Sequence, residues 1–287
     1  MISFVRTRCL AVFVAVVAVS FVCLNQVAIG QLVVAHRGAS ADAPENTLAA
    51  FRLAWEQGAD AVEGDFYLTK DQQIVALHDK TTERTSGVNW DVRKQSLARL
   101  QTLDVGKWKG GRFAGARIPT LKQVCEAISA TGRLVLEIKD SPRIVPYLAA
   151  AVEDTPELKA LIPDRLIIIA FNDKVVAACK KLMPEVKVLW LTGFKTDEST
   201  GEITPSIGSI LGTLARTQAD GLDCNAADHI DEQFAQQLRN AGYEFHVWTV
   251  NDPKVAVRFQ QLGVDSITTD RPAIIRQALK LEPVAVP

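Results

Sequence analysis

Four short stretches of this sequence set acids, imidazoles and cations where chemistry would need them. His36-Arg37-Gly38 closes one apolar run and His78-Asp79 closes another. Glu63 and Asp65 lie two apart near the end of a third run, and Glu137 and Lys139 repeat that spacing at the end of a fourth. In an extended strand a spacing of two puts both side chains on one face. Glu and Asp are depleted in strands and seldom buried without a partner. Glu137, inside the apolar run 134–138, is the sharpest anomaly; it needs either Lys139 beside it or a metal ion. Carboxylates converging on one point repel each other, and a divalent cation removes that penalty. All-oxygen ligation by Glu63, Asp65 and Glu137 suits a hard ion, Ca²⁺ or Mg²⁺. Two imidazoles remain for proton transfer near neutral pH. Arg37 and Lys139 supply positive charge for an anion, Arg through two parallel hydrogen bonds. Metal, paired imidazoles and cationic clamps together point to cleavage of a phosphate ester. His229 and His246 lack acid-partner motifs and read as packed, hydrogen-bonded side chains.

These groups need a frame that gathers strand ends. Apolar, β-rich runs are expected to form strands at 32–36, 61–69, 74–78, 134–138, 166–171, 186–191, 221–225, 244–250 and 266–268. Several are nearly continuous in Val, Ile and Leu, as strands buried on both faces of a parallel sheet are. Helical periodicity appears at 46–58, 121–130, 174–182, 232–241 and 253–262. Only 70–73 separate the second and third strands. Four residues make a hairpin and never a parallel crossover, so the third strand folds back on the second. Eight parallel strands then remain, and that count favours an α/β fold of the (β/α)₈ TIM-barrel type over an open doubly wound sheet. In such a barrel, ligands gather at the C-terminal ends of the strands, and His36, Arg37, Glu63, Asp65, His78, Asp79, Glu137 and Lys139 are all expected at that mouth. The stretch 79–119, rich in Gly, Lys, Arg and Trp, has no strong strand and reads as a small insertion after the hairpin.

Composition bounds the rest. The 287 residues are 48% apolar with a formal net charge of -1, so no nucleic-acid-binding surface is marked. Arg6 and Arg8 precede an uncharged, mostly apolar run at 9–24 and then small residues near Ala28 and Gly30. That layout is a secretory signal at 1–30, which implies export to a periplasmic or extracellular space. Sequencing of the exported protein is expected to find its N-terminus near residue 29 or 31; an intact Met1 would overturn the cleaved signal. The barrel domain is expected over 31–281, with 282–287 as a frayed tail. Cys125, Cys179 and Cys224 show no motif spacing and read as buried thiols.

An ordered series of motifs runs through the chain after the signal. It begins Val34-Ala35-His36-Arg37-Gly38-Ala39, Ala43-Pro44-Glu45-Asn46-Thr47, Val62-Glu63-Gly64-Asp65 and Leu68-Thr69-Lys70-Asp71. It continues through His78-Asp79, Ile118-Pro119-Thr120-Leu121 and Leu136-Glu137-Ile138-Lys139 to Val247-Trp248-Thr249-Val250-Asn251 and Thr268-Thr269-Asp270-Arg271-Pro272. The series resembles the glycerophosphodiester phosphodiesterase family over nearly the whole length after residue 30. The resemblance implies a (β/α)₈ barrel with a small insertion, His36 and His78 as the acid–base pair, and Glu63, Asp65 and Glu137 as metal ligands. It implies that Arg37 and Lys139 contact phosphate and that Trp248 lines the substrate pocket. Glu45 and Asn46 would sit beside the site, supporting its residues or holding a second ion. Gly64 and Gln72 depart from the family pattern in ways that concern backbone shape. The implied substrate is a small glycerophosphodiester, cleaved to glycerol 3-phosphate and an alcohol. A phospholipase D-like enzyme acting on lysophospholipids or sphingolipids is the alternative reaction. A non-catalytic binding barrel is the alternative class, against which both histidines and all three acids argue. No long amphipathic segment follows the signal, which favours a soluble substrate and no stable membrane insertion.

Overall fold

The computed structural model describes residues 31–281; the expected signal and the expected tail lie outside the described residues. Eleven strands run in chain order among them: β1 (Leu32–Ala35), β2 (Ala61–Leu68), β3 (Ile74–Ala76), β4 (Arg133–Ile138), β5 (Leu166–Ala170), β6 (Lys187–Thr192), β7 (Lys195–Thr196), β8 (Ile203–Thr204), β9 (Gly221–Asn225), β10 (Glu244–Trp248) and β11 (Ser266–Thr269). β1 pairs in parallel with β11 on one side and with β2 on the other, which closes the sheet. The eight staves are β1, β2, β4, β5, β6, β9, β10 and β11, so the open-sheet alternative falls. β3 pairs antiparallel with the end of β2, Phe66 opposite Ala76, as a four-residue connection requires. The departure at Gln72 sits in this turn, where the residue takes a left-handed φ of 63°. A small ribbon, β7–β8, was not expected from the sequence.

Alternation along the staves divides the apolar residues between two layers. Val62, Phe66, Leu136, Ile168, Val188 and Leu222 face outward under the helices. Val34, Ala61, Val135, Ile167, Ile169, Leu189 and Leu191 fill the barrel interior beneath its mouth. Each fully buried side chain of this kind contributes roughly 1.5–3 kcal/mol. A polar chain crosses the interior lower down. Lys187 Nζ donates to Glu244 at 2.6 Å, and His246 contacts Glu244 at 3.1 Å and Ser266 Oγ at 2.7 Å. His246 is thus a satisfied interior histidine, as its sequence context suggested.

Several of the helices that follow the staves begin at side-chain caps. Thr47, Asn172, Asp231 and Asp252 each accept from a backbone N–H in the first turn of the next helix. In Leu48–Glu56 the buried residues are Ala50, Phe51, Ala54 and Trp55, a helical stripe against the barrel. Residues 79–119 form short helical turns without a named strand, and their Val92, Leu100, Leu103, Val105 and Ile118 pack with Tyr67, Val75 and Leu77 of the hairpin region. The insertion therefore rests on the β2–β3 hairpin. Cys125, Cys179 and Cys224 are buried thiols. No helix among the described residues is long and apolar enough to cross a membrane.

Candidate active site

Glu63 and Asp65 both face inward from β2, and Glu137 is the register partner of Asp65 on β4. The three acids offer ligand atoms within 4.8 Å of one another. All three are buried, Glu137 least so at 8% exposed. Each is tied to the protein or to a cation on one side. Glu63 Oε2 accepts the Arg37 backbone N–H at 2.8 Å. Asp65 Oδ2 accepts from Asn46 Nδ2 at 2.7 Å, and the Asp65 N–H donates to Asn46 Oδ1 at 3.0 Å. Arg37 Nε lies 3.3 Å from the same Asp65 oxygen. Lys139 Nζ stands 2.8 Å from Glu137 Oε1 and 3.6 Å from Asp65 Oδ1 as an ion pair. That leaves Glu63 Oε1 and Asp65 Oδ1 buried with no hydrogen bond, while Glu137 Oε1 meets the Lys139 ammonium.

Buried oxygens without hydrogen bonds are costly unless something positive meets them. Burial, then the charges of Asp65 and Glu137, push the Glu63 carboxyl well above the usual range. Burial and the charge of Asp65 push Glu137 up to about 8. Asp65 goes the other way: burial opposes ionisation, but the Arg37 and Lys139 charges hold it low. Lys139 alone does not neutralise three carboxylates. The donor set, all oxygen and converging, fits a hard divalent cation.

Each histidine is held by its own carboxylate. His36 follows β1, and its Nδ1 lies 2.7 Å from Asp270 Oδ1, just beyond β11. His78 follows β3, and its Nδ1 lies 2.7 Å from Asp79 Oδ1. The Leu77 N–H donates to the Asp65 carbonyl at 2.9 Å, so the hairpin delivers His78 beside the acids. Burial works against both carboxylates, yet both stay below the usual range. Asp270 is held down by its hydrogen bond and charge pairing with His36, and Asp79 by hydrogen bonds from Arg84 and His78. Ionised partners at Nδ1 keep the proton there, which leaves each Nε2 as the acceptor. Burial lowers the His78 pKa, with Asp65 opposing and Arg37 and Lys139 adding to the fall, which favours the neutral imidazole.

The turn after β1 is strained to make this possible. Arg37 has φ 55° and Gly38 φ 80°. A Cβ at Gly38 would lie 2.5 Å from the Ala50 carbonyl carbon, so only glycine lets the turn sit this close to the helix. At Gly64 a Cβ would meet Phe51, Phe66 and the Asn46 amide at 3.2 to 3.4 Å. This departure from the family pattern thus leaves room for the Asn46 amide that orients Asp65.

The groups line one pocket of about 200 Å³. His36, Arg37, Glu63, His78, Glu137 and Lys139 form its polar side; Ile169, Phe171, Leu191 and Trp248 form an apolar side. Phe171 and Trp248 meet edge to face, 5.7 Å between centroids. Asp65 lies behind this lining, against Arg37 and Lys139. Glu45 receives both terminal nitrogens of Arg84 at 2.7 Å and Arg37 Nη1 at 3.0 Å. Glu45 is thus engaged by two guanidinium groups and Asn46 by Asp65. His229 is elsewhere, edge-on to Phe194 at 4.5 Å.

Sequence reasoning passed over four residues here. Asp270 and Asp79 lie inside quoted motifs; Asp79 stands next to His78, but nothing in one sequence says that Asp270 meets an imidazole 234 positions away. Phe171 stands at the end of an apolar run, where chemistry and packing look alike. Asp223 lines the pocket from β9, and burial pushes its carboxyl to about 7. Its signal was legible: a charge at an inward position of an apolar strand.

Comparison with known proteins gives one consistent result. Residues 36–274 match the model of the Glycerophosphoryl diester phosphodiesterase family. A glycerophosphodiester phosphodiesterase of Caldanaerobacter subterraneus is 35% identical over 246 residues, covering 84% of this chain and 94% of its own. An Oleispira antarctica phosphodiesterase, solved in complex with the product sn-glycerol-3-phosphate, superposes with a TM-score of 0.74 at 32% identity, over 87% of this chain and 96% of that one. A glycerophosphodiester phosphodiesterase of Agrobacterium tumefaciens gives 0.72 at 26% identity, over 86% and 99%.

Proposed function

The chain belongs to the glycerophosphoryl diester phosphodiesterase family, and from that premise we propose how it cleaves a glycerophosphodiester to glycerol 3-phosphate and an alcohol. The observation that carries the reading is the convergence of three buried carboxylates at one pocket with two carboxylate-held imidazoles. Glu63, Asp65 and Glu137 would hold Ca²⁺ or Mg²⁺, and such an ion would supply Lewis acidity to the phosphate ester and its attacking hydroxyl. Arg37 and Lys139 draw the phosphate into the polar side of the pocket, where their charges oppose the negative charge that builds up at phosphorus. The apolar side, Phe171 and Trp248, excludes water and fixes the carbon skeleton. One imidazole accepts the proton of the attacking glycerol hydroxyl at Nε2, and the other, protonated, gives its Nε2 proton to the departing alcohol. Water then opens the cyclic glycerol phosphate with the two roles exchanged, and each imidazole returns to its starting state. Asp270 and Asp79 position the rings and stabilise the imidazolium that forms. The signal-like layout of residues 6–30 supports a reading in which this activity lies outside the cytoplasm.

Incubation of the purified protein with glycerophosphocholine and a divalent cation tests the reaction. The products expected are glycerol 3-phosphate and choline. Glycerol with phosphocholine, the products of cleavage on the other side of phosphorus, would contradict the assignment.

A further inference from the structure

A second cleft, of about 390 Å³, opens beside the catalytic pocket, and His36 and Arg37 line both. Its other walls include Glu45, Trp108, Lys109, Asp270 and Arg271. The acids of this cleft are already matched. Glu45 lies between Arg37 and Arg84, and Asp270 takes His36, Ser40 and Asn251. Two of its cations are not. Lys109 Nζ donates to the Ser40 carbonyl at 2.7 Å and sits 5.6 Å from the centre of the Trp108 ring, with no carboxylate partner among the described residues. Arg271 is exposed and bonds through its backbone N–H, to Thr269 Oγ1; its guanidinium meets no acid among the described residues. The imbalance extends beyond the pair. Residues 79–119, which supply Trp108 and Lys109, hold nine Lys and Arg against four Asp and Glu, whereas the whole chain holds 32 against 33. Net positive charge is therefore concentrated in the inserted segment that supplies Trp108 and Lys109 to this cleft.

We propose that this cleft receives the leaving alcohol and selects alcohols that carry an anionic group of their own, a carboxylate or a second phosphate, through Lys109 and Arg271. The inference rests on the reaction proposed above. An ester that places its phosphate against Arg37 and sends its alcohol past His36 carries that alcohol into the cleft. There a guanidinium can meet a carboxylate or phosphate through two parallel bonds, and the ammonium adds a point charge. The Trp108 face, 44% exposed, covers the alcohol's carbon atoms. A cationic alcohol such as choline meets like charge at the same place.

Three glycerophosphodiesters of similar size separate the possibilities: those of glycolate, ethylene glycol and choline, whose alcohols are anionic, neutral and cationic. Initial rates at low ionic strength, with divalent cation present, give kcat/KM from the glycerol 3-phosphate released. The glycolate ester is expected to exceed the choline ester by roughly 10-fold, and that ratio to shrink in strong salt, which screens exposed charge. Arg271→Gln is expected to cost the glycolate ester about 3- to 5-fold more than the ethylene glycol ester, and adding Lys109→Met to widen the gap. Equal losses on all three esters would mean that the pair serves the shared glycerophosphate or the fold, and would overturn the proposal. So would a preference for choline. Release from none of the three by the parent protein would overturn the underlying reaction as well, which keeps the two failures distinct.

Discussion

His36→Ala and His78→Ala are each expected to lower kcat by at least about 10²-fold, the lower end of what general acid–base catalysis supplies per group. Each ring reaches the pocket with Nε2 presented and Nδ1 held by a carboxylate at 2.7 Å. Removing either leaves a proton with nowhere to go or an alkoxide with no proton to take. The double variant should fall by less than the product of the single losses, because groups acting as a unit are not additive. Asp270→Asn should lower kcat and also move the pH profile, because an amide no longer fixes the proton at Nδ1 of His36. A merely structural role for Asp270 would lower yield or stability without moving that profile. Ion binding should survive both His substitutions, since the acids remain. His229→Ala, whose ring packs on Phe194 away from the pocket, serves as the control. Turnover within a few-fold of the parent for either catalytic substitution, in folded and ion-loaded protein, would exclude the two-histidine mechanism.

The second large effect concerns the acids. Glu63→Gln, Asp65→Asn and Glu137→Gln keep shape and remove one charge each. Each is expected to lower activity by about 10²-fold, in line with a site whose electrostatics carry the reaction. Each should also remove the rise in Tm that a divalent ion gives the parent. At 100 times its Kd, an ion stabilises by about 2.7 kcal/mol, which is roughly 5–10 °C for a domain of this size. The effect depends on pH with a definite sign. Glu63 and Glu137 have raised pKa values in the folded protein, Glu137 to about 8. Their contribution to the stability of the ion-free protein is therefore full below the ordinary carboxylate pKa and is lost as pH rises, for Glu137 through about 8. Ion binding takes the ionised form, so it strengthens over the same window. The ion-induced rise in Tm should be larger at about pH 8.5 than at about pH 5.5; a rise that is equal at both, or smaller at the higher pH, would argue against these carboxylates as the ligands.

Much of the barrel was legible because its staves are short apolar runs with turn residues between them. The stave 221–225 is found where it was expected, and most other ends shift by one or two residues. The hairpin was legible from chain length alone, since four residues cannot cross a sheet. Other elements gave weaker signals. Helix Ile207–Thr217 contains Gly208 and Gly212, each costing about 1 kcal/mol in a helix interior. It forms because Ile210, Thr213, Leu214 and Thr217 pack against the barrel. Helix Pro272–Ala278 is too short for periodicity to show. In the site, Glu63, Asp65 and Glu137 could be picked out because a charge in an apolar strand needs a reason. The carboxylate behind His36 could not, since Asp270 meets it only once β1 and β11 pair to close the barrel. The same holds for the Glu45–Arg84 pair, which joins the turn after β1 to the insertion.

The central claim is a phosphodiesterase whose catalysis needs a cation held by three buried acids together with two imidazoles. Glycerol 3-phosphate release from glycerophosphocholine, followed in excess chelator and again after adding back Ca²⁺ or Mg²⁺, tests it most directly. The account predicts no release above background in chelator and recovery when either ion, or one of the two, is restored. Full release in excess chelator, from protein in which no metal is detected, would contradict it.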